Sequence, residues 1–185
     1  MLEEILQELK TGTTKAHEAL RRELAKLRTG RANASMLDSI RVDYYGTPTP
    51  ISNMATISVP EPRMLQIKVW ERGQSKAVDK AIRESDLGLN PQVDGDLIRI
   101  PMPALTEERR KEIAKNARKY GEECKIAIRK ARKDAREMID ATVKDGDVSR
   151  DDGDAAWKKA EDLVAAAVKT ADEIVAVKEK EIMTV

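Results

Sequence analysis

The chain has 185 residues and a formal net charge of only +1, with 36% charged and 3% aromatic side chains and no phenylalanine. This near-neutral balance excludes binding to nucleic acid through overall charge, so any such contact must come from a local patch. So few aromatic residues disfavour a β-sandwich and favour helices with alanine- and leucine-type cores.

Residues 2–29 predict a first long helix, because small and apolar side chains recur every three or four positions. Gly12 weakens the middle of this helix by about 1 kcal/mol relative to alanine, and Gly30 is the predicted C-terminal cap. The single histidine, His17, has no cysteine or second histidine nearby, so we expect a surface residue and not a metal ligand. The predicted buried face comprises Leu2, Leu6, Leu9, Thr13, Ala16, Leu20, Leu24 and Leu27.

The segment from residue 33 to residue 103 contains all 7 prolines, together with several turn-forming pairs, and this composition predicts a small α+β module. Alternating side chains predict strands at 40–44, 65–69 and 97–100, with a further short strand at 56–59. One helix is predicted over 75–86, with Ser75 as its N-cap and a buried side made by Val78, Ala81 and Ile82.

Residues 105–145 predict the longest helix, which would extend about 60 Å. Thr106 is the predicted N-cap, and Glu107 and Glu108 suit the positive end of the helix dipole. Gly146 suits the C-terminal end. The predicted apolar side comprises Ile113, Ala117, Tyr120, Cys124, Ile128, Ala131, Ala135, Ile139 and Thr142.

On a helical wheel, the charged side chains of this central helix separate by sign. The predicted basic stripe, roughly 100–160° from the apolar side, comprises Lys111, Arg118, Lys125, Arg129, Arg132 and Arg136. The predicted acidic flank comprises Glu112, Glu123, Asp134 and Glu137. Because a merely solvated face has no reason to segregate its signs, we interpret the stripe, about 38 Å long, as a phosphate-binding surface. The alternative is a solvated helix laced with ion pairs between residues four apart.

A third long helix is predicted from Val148 and Ser149 to about Met183. Its predicted buried side comprises Ala156, Ala160, Leu163, Ala167, Ala171, Ile174 and Ile182. Amphipathic helices cannot bury their faces alone, so the predicted fold class is α+β, an antiparallel three-helix bundle with a small inserted domain. The predicted bundle is 1–29 with 106–185, the inserted domain is 30–105, and the connections near 30–32 and 102–105 form a hinge. The predicted hinge residues are Gly30, Arg31, Pro101, Pro103 and Leu105.

No motif in the sequence supports catalysis or a cofactor. Phosphate-loop, dinucleotide, C-x-x-C and H-E-x-x-H patterns are absent, and Cys124 fits a small core residue better than a nucleophile. Residues 147–153 resemble a calcium loop, but the glycine comes one place late and Lys158 stands where a glutamate ligand is needed. The acidic N-terminus and the lack of a long apolar run predict a cytoplasmic protein without a membrane partner.

Five stretches of the sequence resemble the bacterial ribosome recycling factor family. They are L-R-T-G-R-A at 27–32, D-Y-Y-G-T-P-T-P at 43–50, S-D-L-G-L-N-P at 85–91, L-T-E-E-R-R-K at 105–111 and I-A-I-R-K-A-R-K at 126–133. The stretches lie in order across both predicted modules, which makes the resemblance highly specific.

The resemblance implies an L-shaped, tRNA-sized monomer in which a three-helix domain carries a hinged β/α/β domain. It also implies binding to the large ribosomal subunit after termination, followed by subunit splitting with elongation factor G and GTP, without an active site or cofactor. With the charge pattern, it predicts ribosomal RNA contacts at Arg28, Arg31, Arg109, Arg110, Lys111, Arg118, Lys125, Arg129, Lys130, Arg132, Lys133 and Arg136. Arg109 and Arg110 would either join this surface or brace the hinge.

Two departures from the family pattern stand out. The usual I-R-N-x-R-R tract is replaced by residues 128–133, where Lys133 cannot make the bidentate phosphate contact of an arginine. Val164 and Ala165 replace a common Thr-Asp pair, which predicts a more apolar bundle core. The alternative function, a coiled-coil structural or chaperone-like protein, differs in its salt response, because phosphate binding weakens steeply as salt rises.

Overall fold

The structure is a computed structural model and describes residues 1–184. By its internal contacts the chain divides into two compact units. We call Met1–Thr29, together with the chain from Glu107 onward, the bundle, and we call Gly30–Thr106 the small domain.

The helices are α1 (Leu2–Ala25), α2 (Ser75–Arg83), α3 (Glu107–Lys144) and α4 (Arg150–Met183). The strands are β1 (Arg41–Tyr44), β2 (Thr47–Pro50), β3 (Ala55–Glu61), β4 (Met64–Val69), β5 (Gln92–Asp94) and β6 (Leu97–Pro101). Among residues 1–184, every helix is too short or too polar to span a lipid bilayer.

Helices α3 and α4 run antiparallel, as their side-chain pairs establish. Arg118 in the first half of α3 pairs with Glu179 near the end of α4, whereas Arg132 further along α3 pairs with Glu161. The predicted apolar side of α3 is confirmed in large part, although Tyr120 and Ala131 are only half-buried. Ala114 and Gly121 are also buried there.

At two places a glycine of one of these helices packs directly against a valine side chain of the other. A Cβ atom on Gly121 would lie 2.7 Å from Val175 Cγ2, and one on Gly153 would lie 2.5 Å from Val143 Cγ2. Four alanines of α4 are also buried in the bundle, at Ala156, Ala160, Ala167 and Ala171. The bundle core is therefore thin, as the small side chains of the sequence require.

The first helix packs against both of the others. A Cβ on Gly12 would lie 3.3 Å from Ala131 Cβ on α3, and His17 Nε2 lies 2.8 Å from the Ala167 carbonyl oxygen on α4. The prediction of a surface histidine is wrong, because His17 is half-buried between two helices. Ile5, absent from the predicted face, is buried as well. One core cluster joins Ile5, Leu9, Ala135, Ile139, Ala156 and Ala160, so α1 is antiparallel to α3 and parallel to α4.

The predicted end of the first helix is wrong by four residues. It ends at Ala25, where the Lys26 and Leu27 amides bond to carbonyls three residues back and tighten the last turn. Gly30, with φ +75°, lies beyond the helix and does not cap it.

The turn between α3 and α4 follows local sequence signals as predicted. The Gly146 amide bonds to the Val143 carbonyl and the Asp147 amide to the Thr142 carbonyl, with Gly146 at φ +79°. This is a Schellman motif, which glycine forms without a Cβ penalty. Ser149 then caps α4, because its hydroxyl oxygen accepts a hydrogen bond from the Asp152 amide.

The unusual Val164–Ala165 pair contributes only half of the expected apolar core. Val164 is partly buried against the cluster that contains Ile5 and Ala160. Ala165 is exposed, so the prediction of a more apolar core is wrong for this residue: the two neighbours point to different sides of the helix.

The small domain is an antiparallel sheet in the order β3-β4-β6-β5, accompanied by the hairpin β1-β2 and by α2. Fully buried aliphatic side chains from these parts and from two short 3-10 turns, Ala34–Leu37 and Ile51–Asn53, form one core. It includes Leu37, Val42, Ile51, Leu65, Ile67, Val78, Ile82, Ile98 and Ile100. The four predicted strands are present with shifted ends, whereas β2 and β5 were not predicted. The sequence pattern does not indicate β2 because this strand contains prolines at 48 and 50. It does not indicate β5 because this strand lies in a turn-rich stretch at 88–95.

Two local features of the small domain are visible only in the structure. Ser75 is the first residue of α2 and not its cap; its hydroxyl donates to the Arg72 carbonyl. In the β1-β2 turn, Tyr45 has φ +50° and Gly46 has φ +84°. The Tyr45 hydroxyl donates to Glu71, which also accepts the Tyr44 hydroxyl.

Candidate nucleic-acid interface

A row of ion pairs lines the seam between α3 and α4. The pairs are Arg118–Glu179, Lys125–Asp172 at 2.7 Å and Arg132–Glu161 at 2.6 Å. The α3 members are seven residues apart, so two helical turns bring each to the same side. Hydrogen bonds to Asp172 and then to Glu122 raise the pKa of Lys125.

Further pairs lie within α3 itself. Residues four apart are joined at Glu107–Lys111 (2.7 Å), Lys133–Glu137 (3.6 Å) and Arg136–Asp140 (2.9 Å). Arg129 lies 3.9 Å from Glu122. The Lys111 ammonium donates to Glu107 and lowers the pKa of that carboxyl.

The predicted separation of charges by sign is therefore wrong in detail. The predicted cations do share one side of α3, but Glu122 and Asp140 lie among them and α4 supplies three more carboxylates. A wheel of one helix cannot display the charges of its neighbour. The alternative prediction, a solvated helix with ion pairs between residues four apart, describes how the charges are arranged on this side of α3.

Two arginines of this side stack on one aromatic ring. The guanidinium carbon of Arg132 lies 5.1 Å from the centre of the Trp157 ring, and that of Arg136 lies 4.8 Å from it. Both distances fall within the range of cation–π attraction. Sequence reasoning missed Trp157, because nothing local to α4 indicates that it faces two arginines of α3.

Three lysines on the outward face of α3 carry free positive charge. Lys115, Lys119 and Lys130 are exposed and make no ion pair with residues 1–184. Only Lys130 was predicted as a contact residue. On the wheel that places the predicted stripe at roughly 100–160°, Lys115 lies at about 200° and borders the stripe, whereas Lys119 lies at about 240°, beside the predicted acidic flank.

The remaining predicted contact residues lie near the ends of the two units. Arg28 and Arg31 are exposed on either side of Gly30, where one unit ends and the other begins. Arg109 pairs with Glu112 within the first turns of α3. Arg110, next to it, is half-buried.

The two connections between the units are partly fixed to the small domain. The Ala32 amide bonds to the Pro62 carbonyl at 2.7 Å, and the Met102 amide bonds to the Arg63 carbonyl at 2.8 Å. Both partners belong to the turn between β3 and β4, so each connection is tied to the same turn.

One predicted hinge residue is the last residue of a strand. Pro101 lies in β6 and pairs with Met64, so it belongs to the sheet. A Cβ on Gly30 would lie 3.5 Å from the Leu105 side chain, so these two predicted hinge residues adjoin one another. Residues 26–31 and 103–106 are the parts without regular structure or these amide ties.

The chemistry available here is that of charge and hydrogen bonding. Among residues 1–184, no group of three histidine, cysteine, aspartate or glutamate side chains could hold a metal ion. Cys124 is buried, and burial raises the pKa of its thiol, which disfavours the reactive thiolate. Arginine and lysine side chains spread over an exposed helix face are suited to phosphate oxygens.

Comparison with known proteins gives one consistent family. The family model for ribosome recycling factor matches residues 20–183. The chain is 64% identical to the ribosome-recycling factor of Sorangium cellulosum over 185 residues, with all of both chains covered. It is 46% identical to that of Myxococcus xanthus, with 98% of each chain covered.

Two solved structures are similar along the whole chain. One is a solution structure of the ribosome recycling factor, with a TM-score of 0.72, 39% identity and coverage of 100% of this chain and 98% of that one. The other contains models for the T. thermophilus ribosome recycling factor and the E. coli elongation factor G bound to the E. coli post-termination complex. Its TM-score is 0.63 at 38% identity, with both chains fully covered.

Proposed function

The chain belongs to the ribosome recycling factor family, and we propose that it binds the large ribosomal subunit after termination and, with elongation factor G and GTP, splits the post-termination complex into subunits. Ribosome recycling factors are translation factors and not enzymes. A solved relative contains elongation factor G and a post-termination complex, which supports the choice of partners. We propose that it acts in the cytoplasm, where it would meet ribosomes, and that it acts as a monomer.

The observation that carries the proposal is the dense set of exposed cations on α3. The side chains of Arg118, Arg129 and Lys133 are 63–75% exposed despite their ion pairs. Exposed ion pairs contribute only about 0–1 kcal/mol each. A phosphate that approaches this face can therefore replace a carboxylate partner at little cost, and the released counterions favour binding.

We propose that the RNA-facing surface extends beyond the predicted stripe to the outward lysines. Lys115, Lys119 and Lys130 need not give up any carboxylate partner before they meet a phosphate. Arg28 and Arg31 would extend the surface at one end. Arg109 is engaged with Glu112, which favours a role in bracing the start of α3.

We propose, further, that the two connections act as the hinge of subunit splitting. Only two single segments join the bundle to the small domain, and 26–31 and 103–106 lack regular structure. Few restraints cross such a junction, so the units can reorient on the microsecond-to-millisecond scale. The bundle would supply most of the affinity while elongation factor G acts on the small domain.

Co-sedimentation with purified large subunits, at about 50 mM and 200 mM salt, tests the proposal. The single substitutions Arg129→Ala and Arg132→Ala should weaken binding and each reduce the salt slope by about one. The matched control is Lys159→Ala, which removes an exposed cation from α4 roughly 160° around that helix from Glu161. Circular dichroism should show unchanged helicity in all three.

Two results would contradict the proposal. Unchanged affinity in both arginine variants would show that the α3 cations are only solvated and do not bind RNA. Binding that is insensitive to salt would favour a protein contact, as expected for the coiled-coil or chaperone-like alternative.

A further inference from the structure

Arg132 and Arg136 share a single indole, and this arrangement restricts both guanidinium groups. They lie one turn apart on α3, with guanidinium carbons 5.1 Å and 4.8 Å from the centre of the Trp157 ring. Trp157 is half-buried and packs against the cluster that contains Ala156 and Ala160. The ring is thus a fixed platform between α3 and α4.

Each arginine is also held by a carboxylate through one particular nitrogen. Arg132 Nε donates to Glu161 Oε1 at 2.6 Å, and Arg136 Nε donates to Asp140 Oδ2 at 2.9 Å. Within residues 1–184, the hydrogen bonds of these two groups involve only Nε. A guanidinium has five N–H donors, so each arginine keeps the four on its Nη atoms for another acceptor.

We propose that Trp157 is a positioning residue that, with Glu161 and Asp140, holds Arg132 and Arg136 as a preformed clamp for a backbone phosphate of ribosomal RNA. The inference rests on the proposed function, because it assigns a ligand to two cations of the RNA-facing surface. The Nη edge of an arginine matches two phosphate oxygens.

The reason for the clamp is entropic. A free arginine on a helix surface loses much side-chain freedom when it binds, and this loss lowers affinity. Stacking on Trp157 and the Nε ion pairs together reduce that freedom before the RNA arrives. The carboxylates reduce the net charge of the cluster, so the gain lies in orientation and not in added attraction.

A purely structural brace would have the same static geometry, in which two arginines and a tryptophan pin α3 to α4. The two roles differ in what they predict for binding. A brace affects binding only through stability, whereas a clamp couples the ring to the arginines in the affinity itself.

The test compares Trp157→Leu and Trp157→Phe in co-sedimentation with large subunits at two salt concentrations. Leucine keeps apolar packing but lacks a ring face, and we expect about three- to tenfold weaker binding. The salt slope should stay near wild type, because no charge is removed; this separates the effect from that of Arg132→Ala. Phenylalanine should restore most of the affinity.

A double-mutant cycle completes the test. Adding Trp157→Leu to the Arg132→Ala/Arg136→Ala variant should cause no further loss, since the ring then has nothing to position. Three results would overturn the inference: wild-type affinity in Trp157→Leu, equal losses for leucine and phenylalanine, or an undiminished loss in the double-arginine background. Failure of the wild-type protein to bind large subunits would instead refute the proposed function. Melting temperatures measured in parallel exclude unfolding as the cause.

Discussion

Replacing Gly121 by alanine should destabilise the bundle by about 1–2 kcal/mol, although the same change in an uncrowded helix is stabilising. Gly121 lies in the middle of α3 and is buried against α4. An alanine Cβ there would lie 2.7 Å from Val175 Cγ2. Carbon atoms in contact prefer about 3.5–4.0 Å, so the helices would have to separate by close to 1 Å.

The magnitude follows from two opposing effects. Alanine is favoured over glycine by about 1 kcal/mol in a helix interior. Overpacking of a well-packed interface costs about 1–3 kcal/mol, and Val175 gives little relief because a β-branched side chain on a helix has essentially one rotamer. The steric cost lies at the upper end of the overpacking range, because the alanine methyl group cannot move unless the helix backbone moves with it.

The assay is chemical denaturation followed by far-ultraviolet circular dichroism. Gly12→Ala is the matched control: its Cβ would lie 3.3 Å from Ala131 Cβ, so only a small adjustment is needed and stability should change little. The double variant Gly121→Ala/Val175→Ala should recover stability relative to the sum of the single changes. Stabilisation by Gly121→Ala alone would refute the close approach of α3 to α4 at this position.

Further predictions concern the junction, its arginine and the tyrosine pair. Inserting two glycines after Gly30 and two after Pro103 should leave the affinity for large subunits almost unchanged. The same insertions should slow subunit splitting by elongation factor G and GTP, measured by light scattering. A normal splitting rate would show that the connections do not transmit force between the two units. Arg31→Glu should weaken co-sedimentation more than Arg31→Gln, and equal affinities for both variants and wild type would place this residue off the RNA surface. Glu71→Gln should lower the pKa of Tyr44, because the hydrogen bond to that carboxylate raises it; an unchanged ultraviolet titration would exclude Glu71 as the cause.

The long helices of the bundle and the turn between the last two are determined by local sequence. The positions that become buried on α3 repeat at the helical period, and hydrophobic burial requires only that this face meet a partner. Gly146 and Ser149 mark the turn, because a left-handed residue and an N-cap act through hydrogen bonds within a few residues. The family resemblance is equally a property of the linear sequence, and the comparisons confirm it.

The partners of each charge were decided only by the tertiary structure. Arg132 lies 29 residues from Glu161 along the chain, and Arg118 lies 61 residues from Glu179. Whether such residues meet depends on the register between α3 and α4, which places Gly121 against Val175 and Gly153 against Val143. The same reason explains why His17 was expected at the surface and why Trp157 was overlooked: a local pattern shows that a side chain faces a neighbour, but the identity of that neighbour is fixed by packing between distant segments.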